Sequence, residues 1–298
     1  FLTALTNLQY LDISGIGLPF LLAPGAPEGG GTSTTPAATT TTPSPATTKA
    51  ATNTNTDTTT ASPPVLASQT VGDSPMQPAL ALKVLRASGN RISTVWLASL
   101  PLVELDVSHN RITAMGELPN TLQLLNVSRN AMTTLTLASA TQLTTLDASF
   151  NQLVKVGNLT SPALKTLSLS TNFLTAIPPD MSSLFPNLEN LAMPNNSISR
   201  VNLALPQLTT LDLSRNYITN ITRLTAPLLT RLDLSFNRLE SFEADPMPKI
   251  ESFTLTRNRL TRFNLTRAFS NNLDRLVTLD LRDNAISSLV LDSPSASL

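Results

Sequence analysis

Three residues with side chains that could take part in catalysis lie within four positions of each other, around the only histidine of the chain. Asp106, Ser108 and His109 are the residue types of a hydrolytic triad. A triad requires its three groups to converge in space, and successive positions of one extended segment do not converge. The same Asp and Ser also recur together, as Asp147 with Ser149, Asp212 with Ser214 and Asp233 with Ser235. We therefore interpret the pair as part of a repeated template and expect no catalytic residues and no enzymatic activity.

Other reactive and ligand-binding groups are missing from the sequence. Without cysteine, the chain offers no disulfide, thiol nucleophile or cysteine-based zinc site. It also has no glycine-rich phosphate loop and no metal-ligand motif, so we expect no cofactor and no metal. A net charge of +0 gives no basic footprint for DNA or RNA, so nucleic acid is not an expected partner. No apolar run reaches the ~18 residues of a membrane span.

The repeated template is clearest at residues 208–221, LTTLDLSRNYITNI. Its apolar residues and one asparagine follow the pattern LxxLxLxxNxLxxL, and residues 229–242 and 250–263 repeat it. The template asparagines recur through most of the chain, at Asn90, Asn110, Asn130, Asn151, Asn172, Asn196, Asn216, Asn237, Asn258 and Asn284. In this pattern the chain resembles leucine-rich repeat proteins.

The resemblance implies a mostly β member of the α/β-type repeat folds. The expected leucine-rich repeat solenoid has a curved parallel sheet on its concave face and short turns, 3-10 or extended segments on its convex face. Single helical turns are expected only around residues 179–184 and 266–273. Alternating leucines point inward from each strand, and stacking of the units joins them into one core. We interpret the ten asparagines as a structural ladder whose amides satisfy backbone groups at the turns.

The composition divides the chain into four regions. Residues 1–22 form an incomplete N-terminal unit with Ile16 at the asparagine position, and because the chain opens partway into a repeat we expect a fragment of a longer protein. Residues 23–79 are rich in Thr, Pro and Ala and are predicted to be a disordered insertion. This insertion fits either an O-glycosylated, mucin-like stalk or a low-complexity expansion tolerated in a surface loop. Residues 80–291 form the solenoid of about ten repeats, followed by a tail at 292–298.

Two rows of exposed residues should run across the sheet, because units stack ~5 Å apart. The strand-end row is Arg86, Asp106, Asn126, Asp147, Ser168, Ala192, Asp212, Asp233, Thr254 and Asp280. The turn row is Gly89, His109, Arg129, Phe150, Thr171, Asn195, Arg215, Phe236, Arg257 and Asp283. Arginine and aromatic residues dominate interface energetics, so the candidate binding residues are His109, Arg129, Phe150, Arg215, Phe236 and Arg257. The alternative is ordinary solvated variation at a permissive position.

Five sequons permit N-glycosylation without requiring it. They are Asn126, Asn158, Asn195, Asn220 and Asn264. A glycan on Asn126 would stand on the proposed binding face.

The resemblance favours a non-catalytic recognition module that binds a protein or peptide, or another macromolecule, through the concave surface. One hypothesis is the extracellular part of a surface receptor or adhesin, such as the ectodomain of a receptor-like kinase, favoured by the mucin-like segment. The alternative is a cytoplasmic scaffold or regulatory subunit in signalling, favoured by the lack of cysteine. A kinase or other catalytic domain would have to lie outside this chain. The pattern indicates no oligomeric state and no ligand identity.

Overall fold

The structure is a computed structural model that describes residues 7–19, 21–22, 81–137, 140–157, 159, 161–264 and 275–290. The regular elements of this part of the chain are short strands apart from one helical turn. In chain order its elements are β1 (Tyr10–Asp12), β2 (Leu21–Leu22), β3 (Val84–Arg86), β4 (Val95–Trp96), β5 (Glu104–Asp106), β6 (Leu124–Asn126), β7 (Thr134–Leu135), β8 (Thr145–Asp147), β9 (Lys155–Val156), β10 (Thr166–Ser168), α1 (Met181–Leu184), β11 (Asn190–Ala192), β12 (Arg200–Ala204), β13 (Thr210–Asp212), β14 (Asn220–Thr225), β15 (Arg231–Asp233), β16 (Ser252–Thr254), β17 (Arg262–Asn264), β18 (Thr278–Asp280) and β19 (Ser288–Val290).

One long parallel sheet collects the first strand of every unit. Its order is β1-β3-β5-β6-β8-β10-β11-β13-β15-β16-β18, and the pairing keeps one register, so that Leu211 stands beside Leu191 and Leu232. The middle residue of each strand points into the core and the two flanking residues point outward, because side chains alternate along a strand. The predicted parallel-sheet solenoid is confirmed.

The core is continuous from unit to unit. The middle leucines of the inner strands, such as Leu85 and Leu211, are buried in one apolar cluster, and Leu11 and Leu279 at its two ends are partly buried against it. Towards the C-terminal units the leucines give way to aromatic residues. The rings of Phe242, Phe253 and Phe263 pack with their centroids 4.9 to 6.1 Å apart. Each buried side chain of this size stabilises the fold by roughly 1.5–3 kcal/mol relative to exposure.

Short strands also form on the opposite side of the coil. They pair in parallel as β2 with β4, β7 with β9, β12 with β14, and β17 with β19. Within the described range 161–264, the unit of Asn172 has no second strand, and α1 follows Pro178 and Pro179. Proline offers no N–H to a ladder, so a longer second strand such as β12 could not continue through these two positions. The single helical turn expected around residues 179–184 is therefore present, and the one expected at 266–273 lies outside the described residues.

The two units that flank the predicted insertion are direct neighbours. Strand β1 pairs with β3, with Leu11 beside Leu85, and β2 pairs with β4, with Leu21 beside Val95. The predicted insertion at 23–79 and the predicted tail at 292–298 lie outside the described residues. Within the described ranges, no helix is long and apolar enough to cross a membrane.

Candidate recognition surface

The ladder asparagines join each unit to the unit before it. The Oδ1 atom of Asn110 accepts a hydrogen bond from the N–H of Ile92 at 3.0 Å, and its Nδ2 donates to the carbonyls of Ala87 and Val107, both at 3.0 Å. The other nine asparagines repeat this arrangement, with acceptor distances of 2.8 to 3.1 Å. Each amide thus satisfies turn groups that are hidden from water.

Because each asparagine bonds to the preceding unit, the turn of the first unit is stabilised although that unit has no asparagine of its own. Ile16, at the asparagine position, is 64% exposed. Asn90 of the next unit accepts hydrogen bonds from Gly17 and Leu18 and donates to the carbonyl of Ile13. The amide that a unit requires is supplied by its successor.

Most aspartates of the strand-end row stabilise the turn that follows them. One oxygen of Asp106 accepts a hydrogen bond from the N–H of Ser108 at 2.9 Å, and Asp147, Asp212 and Asp233 do the same two residues on. This Asx turn is why Asp and Ser recur together in the template. The second carboxylate oxygen remains available on the sheet face.

These bonds also account for the triad-like segment around the histidine. The Asp106 carboxylate binds the backbone of Ser108, and Ser108 itself is buried. His109 is exposed in the turn that follows. The described residues therefore place these three side chains in a turn rather than around a common reacting atom. The same residues contain no cluster of three His, Cys, Asp or Glu side chains that could hold a metal ion.

The turn row adopts the left-handed backbone conformation in every unit. Its nine non-glycine members have φ between 53° and 57° and are His109, Arg129, Phe150, Thr171, Asn195, Arg215, Phe236, Arg257 and Asp283. Gly89, the tenth member, has φ of 65°. Left-handed backbone is uncommon outside glycine and asparagine and is a real cost for bulky or β-branched residues.

Neighbouring units hold this strained turn in place. The N–H of Arg215 donates to the carbonyl of Ser235 at 2.9 Å, and the N–H of Phe236 donates to that of Thr256 at 2.8 Å. The position after each ladder asparagine is fixed similarly, as Tyr217 donates to Ile198. The backbone N–H groups at these positions are thus already bonded to neighbouring units, so a ligand at this edge would be bound by side chains.

Side chains of the turn row stack on one another across units. The Arg129 guanidinium lies 4.1 Å from the centroid of the Phe150 ring. The Phe236 ring receives Arg215 at 4.2 Å and Arg257 at 4.9 Å, from the units on either side. Five of the six predicted binding residues are therefore in direct cation–π contact, and no such contact involves His109 among the described residues.

A second set of exposed side chains was missed by the sequence reasoning. The residue after each ladder asparagine stands beside the turn row, and this outer row reads Arg91, Arg111, Ala131, Gln152, Phe173, Ser197, Tyr217, Arg238, Arg259 and Ala285. Arg238 lies over the Tyr217 ring at 4.5 Å. The signal was available, since the position follows the asparagine in every copy of the template and is arginine in four of them.

The turn row ends in an ion-paired C-terminal corner. Arg257 pairs with Asp283 at 3.0 Å, and both side chains are 60% exposed. Beside them, the hydrogen bond from the Arg282 guanidinium holds the pKa of the Asp280 carboxyl well below its usual range. At this end of the turn row, Asp280 and Asp283 therefore neutralise the nearby arginines.

The predicted sequons differ in accessibility. Asn195 and Asn220 are exposed, Asn195 in the turn row and Asn220 on β14. The Oδ1 atom of Asn126 accepts a hydrogen bond from the Ser128 N–H in the strand-end row. Asn264 is partly buried on β17, and Asn158 lies outside the described residues.

Comparisons with known proteins agree with this geometry. A family model described as Leucine Rich Repeat matches residues 101–125. Over 77 residues the chain is 47% identical to the Immunoglobulin domain and leucine-rich repeat-containing protein 2 of Caenorhabditis elegans. That alignment covers 23% of this chain and 10% of the relative, so the chain spans a small part of that protein's length.

Solved structures share the solenoid. YopM, a leucine-rich effector protein from Yersinia pestis, superposes with a TM-score of 0.59 at 25% identity, covering 74% of this chain and 62% of YopM. TLR13 in a TLR13-ssRNA13 complex superposes with a TM-score of 0.53 at 20% identity, covering 71% of this chain and 40% of that chain. The second likeness extends to the fold alone.

Proposed function

We propose that this chain, which is a leucine-rich repeat protein, is a non-catalytic recognition module that binds a protein ligand at the turn edge of its long sheet. The observation that carries the proposal is the row of left-handed residues at that edge. Strained backbone positions cluster at functional sites, and here they present arginine and phenylalanine where glycine or asparagine would fit the backbone better.

The fold supports a binding role over a catalytic one. Leucine-rich repeat solenoids commonly mediate protein binding, and in three consecutive units of the turn row the exposed Arg215 and Arg257 contact the half-buried ring of Phe236. Arginine and large aromatic residues supply most of the binding energy in protein interfaces. Their stacking also limits the side-chain entropy that is lost on association.

The test compares charge-reversal variants at two sites. Arg129→Glu with Arg215→Glu reverses the turn row, and Arg200→Glu with Arg262→Glu reverses two exposed positions on the opposite side. Each variant and the unchanged chain would be used to capture partners from the native source, after circular dichroism has shown that all three are folded. The expected result is a partner lost only with the turn-row variant. Equal retention by all three, or loss with the opposite-side variant alone, would place binding elsewhere.

The compartment that we propose is the cell surface or the extracellular space. The Thr/Pro-rich residues 23–79 and the exposed sequons at Asn195 and Asn220 support it. The intact mass of the protein from its source, before and after enzymatic deglycosylation, tests this directly. A mass that falls on treatment supports the secretory route.

A cytoplasmic scaffold or regulator is the second candidate. The absence of cysteine favours it. An unmodified mass would favour this alternative. Binding at the turn edge is proposed for either compartment.

A further inference from the structure

Positive charge is concentrated at the turn edge of three consecutive units. The units of Asn216, Asn237 and Asn258 contribute four arginines and two aromatic residues there and no carboxylate. We call this group the arginine cluster, and its members are Arg215, Tyr217, Phe236, Arg238, Arg257 and Arg259. The chain as a whole has a net charge of +0, so the cluster is a local feature.

The aromatic rings hold several of these guanidinium groups in place. Arg215 and Arg257 contact the Phe236 ring, and Arg238 contacts the Tyr217 ring. A guanidinium carries five N–H donors, so an arginine that lies over a ring still has donors for other acceptors. Such stacking fixes the arginines before a ligand arrives.

Most of these charges have no acidic partner. Within the described ranges, the ion pairs of the cluster are limited to that of Arg257 with Asp283. Arg215, Arg238 and Arg259 are exposed and make no ion pair with a described residue. Their donors are therefore open to carboxylates from outside the chain.

The neighbouring sheet face carries the opposite charge. Asp212 and Asp233 stand side by side on β13 and β15, three residues before Arg215 and Phe236. Each keeps one carboxylate oxygen that its own turn does not use. This acidic pair disfavours a dense polyanion such as single-stranded RNA, whereas a polypeptide can direct its acidic side chains to one side only.

We propose that the arginine cluster binds an extended acidic segment of a protein partner. This inference rests on the proposed function and names the chemistry of the ligand at the same edge. Arg215 and Arg257 lie two units apart, which corresponds to about 10 Å at the spacing of neighbouring strands. A polyproline II segment has three residues per turn and rises about 3.1 Å per residue, so acidic side chains at every third position lie on one side, about 9 Å apart, and match the two arginines. Arg238 and Arg259, one unit apart, offer further contacts.

The experiment uses the full chain and two labelled synthetic peptides. One is a short Gly/Ser peptide with glutamate at every third position, and the other has glutamine in its place. Fluorescence anisotropy at low salt should show binding of the glutamate peptide only, with affinity that falls as salt is added. Arg238→Ala with Arg259→Ala should weaken binding about tenfold or more, because two charge-assisted contacts are lost.

The matched control removes two arginines elsewhere. Arg200→Ala with Arg262→Ala changes the net charge by the same amount on β12 and β17 and should leave peptide affinity unchanged. Equal losses in both double variants would show a general charge effect and overturn the inference. Equal binding of the glutamine peptide would overturn it too.

A third measurement, with single-stranded RNA as the ligand, distinguishes an acidic peptide from a general polyanion. If a single-stranded RNA of similar length binds more tightly than the glutamate peptide and loses affinity in the cluster variant, the ligand is a polyanion and the inference is wrong. If no peptide binds while partner capture still depends on Arg129 and Arg215, the acidic ligand is wrong but the proposed function stands. If capture is also indifferent to those residues, both fail.

Discussion

The Oδ1 atom of Asn90 accepts a hydrogen bond from the N–H of Leu18 at 3.1 Å, although 72 positions separate the two residues in the sequence. The same oxygen accepts from Gly17 at 2.8 Å, and the Asn90 Nδ2 donates to the carbonyl of Ile13. One side chain therefore closes the turn of the first unit from across the Thr/Pro-rich segment. The contact shows that the two units on either side of residues 23–79 stack directly on each other.

The first prediction concerns this closure. Asn90→Ala leaves the N–H groups of Gly17 and Leu18 without their acceptor, so the first unit should open more easily than the rest. Amide hydrogen exchange at Leu18 should accelerate, and the free energy of unfolding should fall by about 1–3 kcal/mol. Asn120→Ala, at an exposed position, is the control and should change neither quantity. Unchanged exchange at Leu18 in the Asn90 variant would contradict the assignment.

The second prediction compares the ladder with the core. Asn237 bonds to the N–H of Ile218 and to three carbonyls, and Asn237→Ala should cost a few kcal/mol at most through unpaired backbone. Leu213 is fully buried, and Leu213→Ala should cost about 2–5 kcal/mol. Chemical denaturation measures both. Stability changes near zero in the two variants would mean that the register of the repeat is wrong.

The sequence was sufficient to predict the long sheet because its determinants are local. A leucine such as Leu211 is flanked by polar residues, here Thr210 and Asp212, and that alternation selects the buried face. The asparagine positions could be predicted in the same way. The length of the unit between Asn172 and Asn196 likewise indicated the single helical turn around residues 179–184.

Features that depend on contacts between units were harder to predict. The amide of Asn90 serves the preceding unit, a direction that no spacing within one copy reveals. The left-handed turn at Phe150 was not predicted, since phenylalanine has little preference for that conformation. The two-residue strands such as β7 arise from pairing between neighbours rather than from a pattern within one copy.

The third prediction addresses backbone strain in the turn row. Thr171 is β-branched and has φ of 53°. Thr171→Asn should raise the free energy of unfolding by about 1 kcal/mol, because asparagine accepts left-handed backbone far more readily. Thr145→Asn, in the strand β8, is the control and should be neutral or destabilising. Destabilisation at residue 171 equal to that at 145 would show that the turn carries no strain.

The fourth prediction concerns the ring that two arginines share. Phe236 contacts Arg215 and Arg257, and a double-mutant cycle of Phe236→Ala with Arg215→Ala should give a coupling energy of about 0.5–1 kcal/mol at this partly exposed site. The cycle measured for Phe150 with Arg215, which make no ring contact with each other, should give a value near zero. Equal coupling in the two cycles would indicate that the stack contributes nothing specific.

The fifth prediction separates two glycines that serve different purposes. A Cβ atom on Gly116 would stand 2.4 Å from the carbonyl oxygen of Val95, which accepts a hydrogen bond from the Gly116 N–H. Gly116→Ala should therefore force neighbouring units apart and cost about 1–3 kcal/mol. At Gly89, where φ is 65°, an added Cβ would approach nothing closer than 3.8 Å. Gly89→Asn should consequently change stability by no more than about 0.5 kcal/mol, since asparagine tolerates this backbone. Thermal unfolding of the two variants measures the contrast, and equal losses would show that the close approach of Gly116 to Val95 carries no cost of its own.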